Sequence, residues 1–286
     1  MGSSDWVPSG AWLAPGYAEW APPAALRGQV ACLWARVRAD TARRGLVLPD
    51  ACSDLIWEQG VGAYVAGPDT GPARPLIKAG AAIVGVRFRP SAGGPVLKAP
   101  LSEILNQRVP LPDLVRQARL PRPAQDLSPG LDPAEAAARM LDLAGALVAD
   151  GEPDPAMARA AVLLRDPAAR AEAVAAEVGL SERQFRRRSQ AAAGYGPKTL
   201  QRVLRFHRFV RLLDAATAPP DLAAIAARAG YADQAHLTRE CSALSGFTPA
   251  NLARTRQPQP QAEPHHQSDG GSAIIAVPTS RNPSRA

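Results

Sequence analysis

Residues 173–189, AVAAEVGLSERQFRRRS, and residues 223–241, AAIAARAGYADQAHLTREC, are built on one plan. Each is a short Ala-rich helix, a glycine turn, a capping residue, and a second helix bearing polar residues and arginine. Matching the caps Ser181 and Asp233 gives a repeat of 52 residues, with one extra residue in the second turn. The repeat restricts the fold sharply, because each copy supplies two short helices joined by a tight reversal, and neither copy can bury its apolar face alone.

In the first copy, Val174, Ala175 and Val178 give the leading helix its apolar face, and Gly179 allows the reversal. Ser181 is placed to cap the next helix, and Gln184 completes a capping-box pattern. Phe185 and Ala192 share one face of that helix, with Ser189 between them. Arg183, Arg186, Arg187 and Gln190 stand at i, i+3, i+4 and i+7, a single outward face. Arginines at a helix N-terminus suit the major groove, where a guanidinium bridges two acceptors on guanine. A solvated surface helix is the plainer reading of an arginine run. The preceding helix, the glycine turn and the cap argue for a reading head instead.

The second copy has Ile225, Ala226 and Ala229 on its first helix and Asp233 as the cap of its second. Leu237, Cys241 and Leu244 face the core, leaving Gln234, Ala235, His236 and Arg239 exposed near the N-terminal end. Between the copies, PKTLQRVLRFHRFVRLLDAA (197–216) starts on a proline suited to a first helical turn. Leu200, Val203, Leu204, Phe206, Phe209, Val210 and Leu213 form a broad apolar stripe along it. About 17 helical residues span roughly 25 Å, so this helix is expected to be a strut that holds two reading heads for successive grooves ~34 Å apart.

Charge is distributed accordingly. Residues 155–256 carry 16 Arg or Lys against 8 Asp or Glu, and the rest of the chain carries 17 against 18. A basic excess confined to one segment fits a polyanion partner. No apolar run approaches the ~20 residues of a membrane span. The N-terminus MGSSDWVPSGAW lacks the pattern of a secretory signal, and Cys32, Cys52 and Cys241 are too few for a disulfide framework. A cytoplasmic protein with no membrane partner is expected.

Residues 1–125 read as strand and loop. QVACLWARVRA (29–39) and AIVGVRFRP (82–90) alternate, placing Ala31, Leu33, Ala35 and Val37 opposite Arg36 and Arg38, and Val86 and Phe88 opposite Arg87 and Arg89. Two short apolar runs flank a Pro-Asp turn in GLVLPDACSDLIWEQG, and short helices are expected at 101–107 and 112–119. The expected class is α+β: a β-rich domain at 1–125 for effector binding or dimerisation, a linker with a helix at 126–154, an all-α domain at 155–256, and a disordered tail at 257–286. His207, His236, His265 and His266 all lie outside residues 1–154. A metal-dependent enzyme built on a His cluster in the β-rich half is thereby excluded, and no nucleophile elbow or phosphate loop appears. No catalytic residue, metal ligand or cofactor is assigned. Trp34, Trp57, Tyr64, Arg87 and Arg89 are candidates for a pocket wall and equally natural as barrel core and surface. The ligand and its contacts are unknown.

Residues 155–256 resemble the DNA-binding domain of the AraC/XylS family of transcriptional regulators. The resemblance is carried by GLSERQFRRRSQAAAGYGPKTLQRVLRFHR and DLAAIAARAGYADQAHLTRECSALSGFTP, above all by G-Y-x-D-Q-x-H-L-x-R followed by S-G-F-T-P. It implies that the first recognition helix makes most base contacts, through Arg183, Arg186, Arg187 and Gln190 with Ser181 at its cap. It implies weaker readout by Gln234, Ala235, His236 and Arg239. Ser189 stands where the family commonly has a core Phe, so looser packing is expected in the first copy. LPDACSDLIW and VGVRFRP make the N-terminal half similar to the cupin-like effector domains that precede this module. The expected function is sequence-specific regulation of transcription on double-stranded promoter DNA, without enzymatic activity. RNA polymerase, a small-molecule effector and a second copy of the chain are the further partners implied. Two alternatives stand beside it: a regulator with no small-molecule effector, and a DNA-repair-type enzyme with a regulatory DNA-binding module.

Overall fold

The computed structural model describes residues 16–37, 42–114, 126–216, 219–256 and 275–276. The strands are β1 (Gly16–Trp20), β2 (Val30–Val37), β3 (Arg43–Leu46), β4 (Ser53–Glu58), β5 (Gly62–Ala66), β6 (Leu76–Ile77), β7 (Ala82–Phe88), β8 (Arg108–Pro110) and β9 (Ile275–Ala276). The helices are α1 (Gly93–Leu97), α2 (Leu111–Leu114), α3 (Pro133–Asp150), α4 (Pro155–Leu163), α5 (Ala171–Glu177), α6 (Glu182–Ala193), α7 (Pro197–Asp214), α8 (Leu222–Ala229), α9 (Gln234–Ser245) and α10 (Pro249–Arg256).

The larger sheet runs β1-β2-β7-β4-β5-β8, with every pairing antiparallel. Its central strand β7 is buried along its whole length. Alternation there separates two interiors instead of interior from solvent. Leu33, Ala35, Leu55, Val84 and Val86 pack under α3 with Met140, Leu143 and Leu147. Asp132 caps α3 by accepting from the backbone N–H of Ala134 and of Glu135. On the opposite face, Cys32, Trp34, Ile56 and Ile83 look toward the smaller sheet, β6-β3-β9. Gly85 lies opposite Trp34 in the ladder, and a Cβ there would come within 2.2 Å of the indole ring. The glycine is what lets the ring lie flat on the strand.

The expected helices at 101–107 and 112–119 take the form of a 3-10 turn, Leu101–Ile104, and the short α2; residues 115–125 lie outside the described residues. Within the stretch expected as a disordered tail, Ile275–Ala276 pair with Leu46 and Gly45 of β3. That edge of β3 offers unpaired backbone groups, and a short extended segment satisfies them. Residues 257–274 and 277–286, including His265 and His266, lie outside the described residues.

In the helical domain the seven apolar residues of the strut α7 are all buried. Val174, Ala175 and Phe185 from one repeat and Ile225, Leu237, Cys241 and Leu244 from the other join the same core. Leu46, Leu48 and Ala51 of the β-rich half also belong to it. The two halves therefore share apolar packing.

Candidate nucleic-acid interface and an adjoining cavity

Both repeats fold as the sequence dictates. Gly179 turns the chain at φ 71°, and Gly230 does so at φ 92°. Ser181 and Gln184 form the reciprocal cap: the Gln184 N–H donates to the Ser181 hydroxyl at 3.3 Å, and the Ser181 N–H donates to the Gln184 side-chain oxygen at 3.0 Å. Phe185, Ser189, Ala192 and Ala193 are the buried side of α6. Ser181, Arg183, Arg186 and Arg187 are exposed on the other side, with Gln190 half-buried. Among the described residues no carboxylate pairs with any of those three arginines. Arg188, one residue on, points elsewhere. Its guanidinium is held by Asp154 at 2.8 and 2.5 Å, and Asp154 also accepts from the Met157 N–H at the start of α4. That ion pair anchors α6 and leaves the arginine face unsatisfied, with forked donors directed at solvent.

Ser189 corrects an expectation. It is fully buried, and its hydroxyl donates to the Tyr195 carbonyl at 2.6 Å. A hydrogen bond to the following turn replaces an apolar contact, so the first repeat is closed without a core Phe.

The second repeat is arranged around Glu240. It receives Arg205 at 2.8 Å, His236 Nε2 at 3.3 Å and Arg202 at 3.6 Å. The His236 ring also stands edge-on to Tyr231 at 5.2 Å, and Arg205 lies over that tyrosine at 5.3 Å. His236, expected as an exposed contact, is thus half-buried and engaged inside the unit. Gln234, Ala235 and Arg239 are exposed as expected. Asp233 caps α9 through the His236 N–H at 2.6 Å.

The repeat continues beyond the recognition helices. Gly194-Tyr195-Gly196-Pro197 and Gly246-Phe247-Thr248-Pro249 again lie 52 residues apart. Gly194 and Gly246 end α6 and α9 at φ 79° and 75°. Residues 67–75 of the β-rich half touch both turns. The Tyr195 hydroxyl donates to the Asp69 carbonyl at 2.5 Å, and a Cβ on Gly194 would meet Pro68 at 2.5 Å. Arg74 lies over the Phe247 ring at 5.4 Å. Asn106 pins this strap, accepting from the Thr70 N–H at 2.7 Å while its own N–H donates to Pro68. The C-terminal end of α6 also rests on α1, where a Cβ on Gly94 would lie 2.3 Å from the Ala191 carbonyl oxygen.

The same strap borders a cavity of about 340 Å³ between the two sheets. Of the candidates for a pocket wall, Trp34, Tyr64 and Arg87 line it. Trp57 and Arg89 do not. Trp57 faces the α3 core and its indole N–H donates to the Ser128 carbonyl at 2.9 Å, while Arg89 donates to the Arg27 carbonyl at 2.8 Å. Arg87 is buried beneath the cavity floor, 3.1 Å from Asp54, 3.6 Å from Asp50 and 3.5 Å from Glu19. Burial pushes the Asp54 carboxyl up and Arg87 pulls it back. For Arg87, burial works against the charge and the carboxylates, Asp54 first, outweigh it. Strand periodicity puts Asp54 and Glu58 on one face of β4 but gives no sign that Asp50 and Asp69, which lie in separate loops, join them.

Residues 174–255 match a family described as a helix-turn-helix domain, and residues 18–110 match a family described as a domain of unknown function (DUF6597). No curated protein matches the chain. Among solved structures, ToxT from Vibrio cholerae O395 is similar at 10% identity and a TM-score of 0.42, covering 78% of this chain and 97% of its own. The P21 crystal form of ToxT from Vibrio cholerae is similar at 12% identity and a TM-score of 0.41, covering 78% of this chain and 98% of its own.

Proposed function

We propose that the helix-turn-helix domain at residues 174–255 is of the AraC type, that the chain is a DNA-binding transcriptional regulator, and that it reads two successive major grooves and answers to a small molecule held in the N-terminal cavity. The observation that carries this reading is the exposed face of Arg183, Arg186 and Arg187 at the capped start of α6, where among the described residues no carboxylate, not even the exposed Glu182 of the same turn, forms an ion pair with them. Arg186 and its neighbours supply base contacts, with Gln190 at the far end and Ser181 near phosphate. Gln234, Ala235 and Arg239 supply a sparser second set. His236 contributes little, since Glu240 and Tyr231 already occupy its ring.

The 18 residues of α7 make a strut of about 27 Å, a length compatible with two heads one groove apart. Effector control is supported by the strap. Residues 67–75 border the cavity on one side and grip the turns after both recognition helices on the other, so a ligand that moved the strap would bear on both heads. The enzyme alternative requires a reactive nucleophile. Burial pushes the Cys32 thiol up to about 12 and raises that of Cys52, leaving both protonated and unreactive at neutral pH.

The test is a hydroxyl-radical footprint on duplexes selected from a random pool. The reading expects two protected tracts about one helical turn apart. Arg186→Ala should weaken protection of one tract and Arg239→Ala should weaken the other. A single tract insensitive to both substitutions would contradict it.

A further inference from the structure

We infer that the N-terminal cavity takes a small organic cation with an aromatic or branched apolar body, such as a protonated arylalkylamine. The inference deepens the effector reading and depends on it for biological meaning, but the chemistry follows from the cavity itself.

The charges around the cavity are unequal. Asp50, Asp54, Glu58 and Asp69 border it against Arg36, Arg87 and Arg108, and Glu19 reaches Arg87 from outside. Arg87 is already shared by three carboxylates. Arg108 is held in a two-point pair with Asp69 at 3.0 and 2.7 Å, and the Arg36 guanidinium lies over the Tyr17 ring at 5.3 Å. At Arg87 and Arg108 an incoming anion would have to take a guanidinium from a carboxylate it already serves, and at Arg36 it would have to draw the guanidinium off the Tyr17 ring. An incoming cation meets a carboxylate surplus without breaking any pair.

Glu58 is the carboxylate with the least compensation. Its side chain accepts from the Tyr64 hydroxyl at 3.3 Å, and among the described residues no cation lies within ion-pair distance. Burial raises its pKa, and the Tyr64 hydrogen bond and the charge of the exposed Lys78 only partly offset that. A half-buried carboxylate in this condition gains from a ligand ammonium, which restores a counter-charge where water is partly excluded.

The rest of the wall is apolar and aromatic. Trp34 is fixed by its N–H donating to Asp54 at 2.7 Å and by its seat over Gly85, and Tyr64, Ile56 and Ile83 complete that side. Aromatic rings beside a carboxylate favour a cation twice over, through the counter-charge and the ring faces. At the mouth stand Val61 and Leu76, 50% and 63% exposed. They are large apolar side chains left in water at the rim, where a ligand's hydrocarbon would cover them. The volume of about 340 Å³ is at the small end for organic ligands.

The experiment is calorimetric titration of the full chain with tryptamine, 3-ethylindole and indole-3-propionate, which share a ring and arm and differ in charge. Tryptamine should bind roughly tenfold or more tighter than indole-3-propionate. Glu58→Gln should remove most of that preference and leave 3-ethylindole within about twofold, with an unchanged circular-dichroism spectrum and melting curve showing that the variant is folded. Equal or tighter binding of indole-3-propionate would overturn the inference, as would no binding by any of the three, or loss of all three alike in folded Glu58→Gln. Tight tryptamine binding that leaves DNA affinity unchanged would uphold the cation and sink the effector reading instead.

Discussion

The hydroxyl of Tyr195, in the turn after the first recognition helix, donates to the main-chain carbonyl of Asp69, whose carboxylate borders the cavity and pairs with Arg108. One strap residue thus faces the cavity with its side chain and the helical half with its backbone. Tyr195→Phe should keep the ring packed and leave that carbonyl without its partner, at a cost of about 1–2 kcal/mol in unfolding free energy. DNA affinity of the free protein should change little, while any ligand-dependent change in affinity should shrink. Chemical denaturation and anisotropy titrations with and without ligand check both parts.

Ser189 allows a sharper prediction, because the residue the family would lead one to restore is the wrong one here. The hydroxyl is fully buried and committed to the Tyr195 carbonyl. Ser189→Ala should cost about 1–2 kcal/mol by orphaning that carbonyl. Ser189→Phe should cost at least as much, since overfilling a closed core destabilises by roughly 1–3 kcal/mol. Denaturant midpoints of the two variants decide it.

Much of the helical domain was legible in the sequence because its signals are local. Caps, glycine turns and 3.6-residue spacing fall within one repeat, so the strut's seven buried residues and the arginine face were both readable. The β-rich half was legible as strands but not as surfaces. Alternation in AIVGVRF suggested a wet face for Arg87, yet both faces of β7 are covered and Arg87 lies buried among carboxylates. The same ambiguity put Trp57 and Trp34 together, although β2 and β4 send them to opposite sides of the sheet. The strap at 67–75 was invisible because Pro- and Gly-rich loops have no period, and its contacts with the helical half lie more than a hundred residues away.

Gly94 should be intolerant of any side chain. A Cβ would sit 2.3 Å from the Ala191 carbonyl oxygen, and that contact is with helix backbone that cannot swing aside. Gly94→Ala should push α1 off α6 and loosen the grip on the first reading head. Hydrogen exchange should show faster exchange at the C-terminal end of α6, with the Ser181-capped start little changed.

His207 on the strut gives a pH signature. Burial first, then the nearby Arg211, pushes its imidazole down to about 3, against about 6.5 in an unfolded chain. Between those values the unfolded state binds a proton that the folded state refuses, so stability falls as pH falls from about 6.5. The slope attributable to this group approaches about 1.4 kcal/mol per pH unit. The difference between wild type and His207→Gln in urea melts at pH 7 and pH 5 isolates it. His207→Gln should lose the smaller fraction of its stability on acidification.

The central claim is that the face of Arg183, Arg186 and Arg187 reads bases. It is tested most directly by measuring the affinity of wild type, Arg186→Ala and Lys198→Ala, the last an exposed cation at the start of α7, for every single-base variant of a selected operator at fixed salt. Arg186→Ala should lose about 1–3 kcal/mol of discrimination at one base position and keep its preferences elsewhere. Lys198→Ala should weaken all sequences alike, with a shallower salt dependence. If Arg186→Ala weakens every operator variant equally and flattens no position, α6 is a phosphate-binding surface and the account is contradicted.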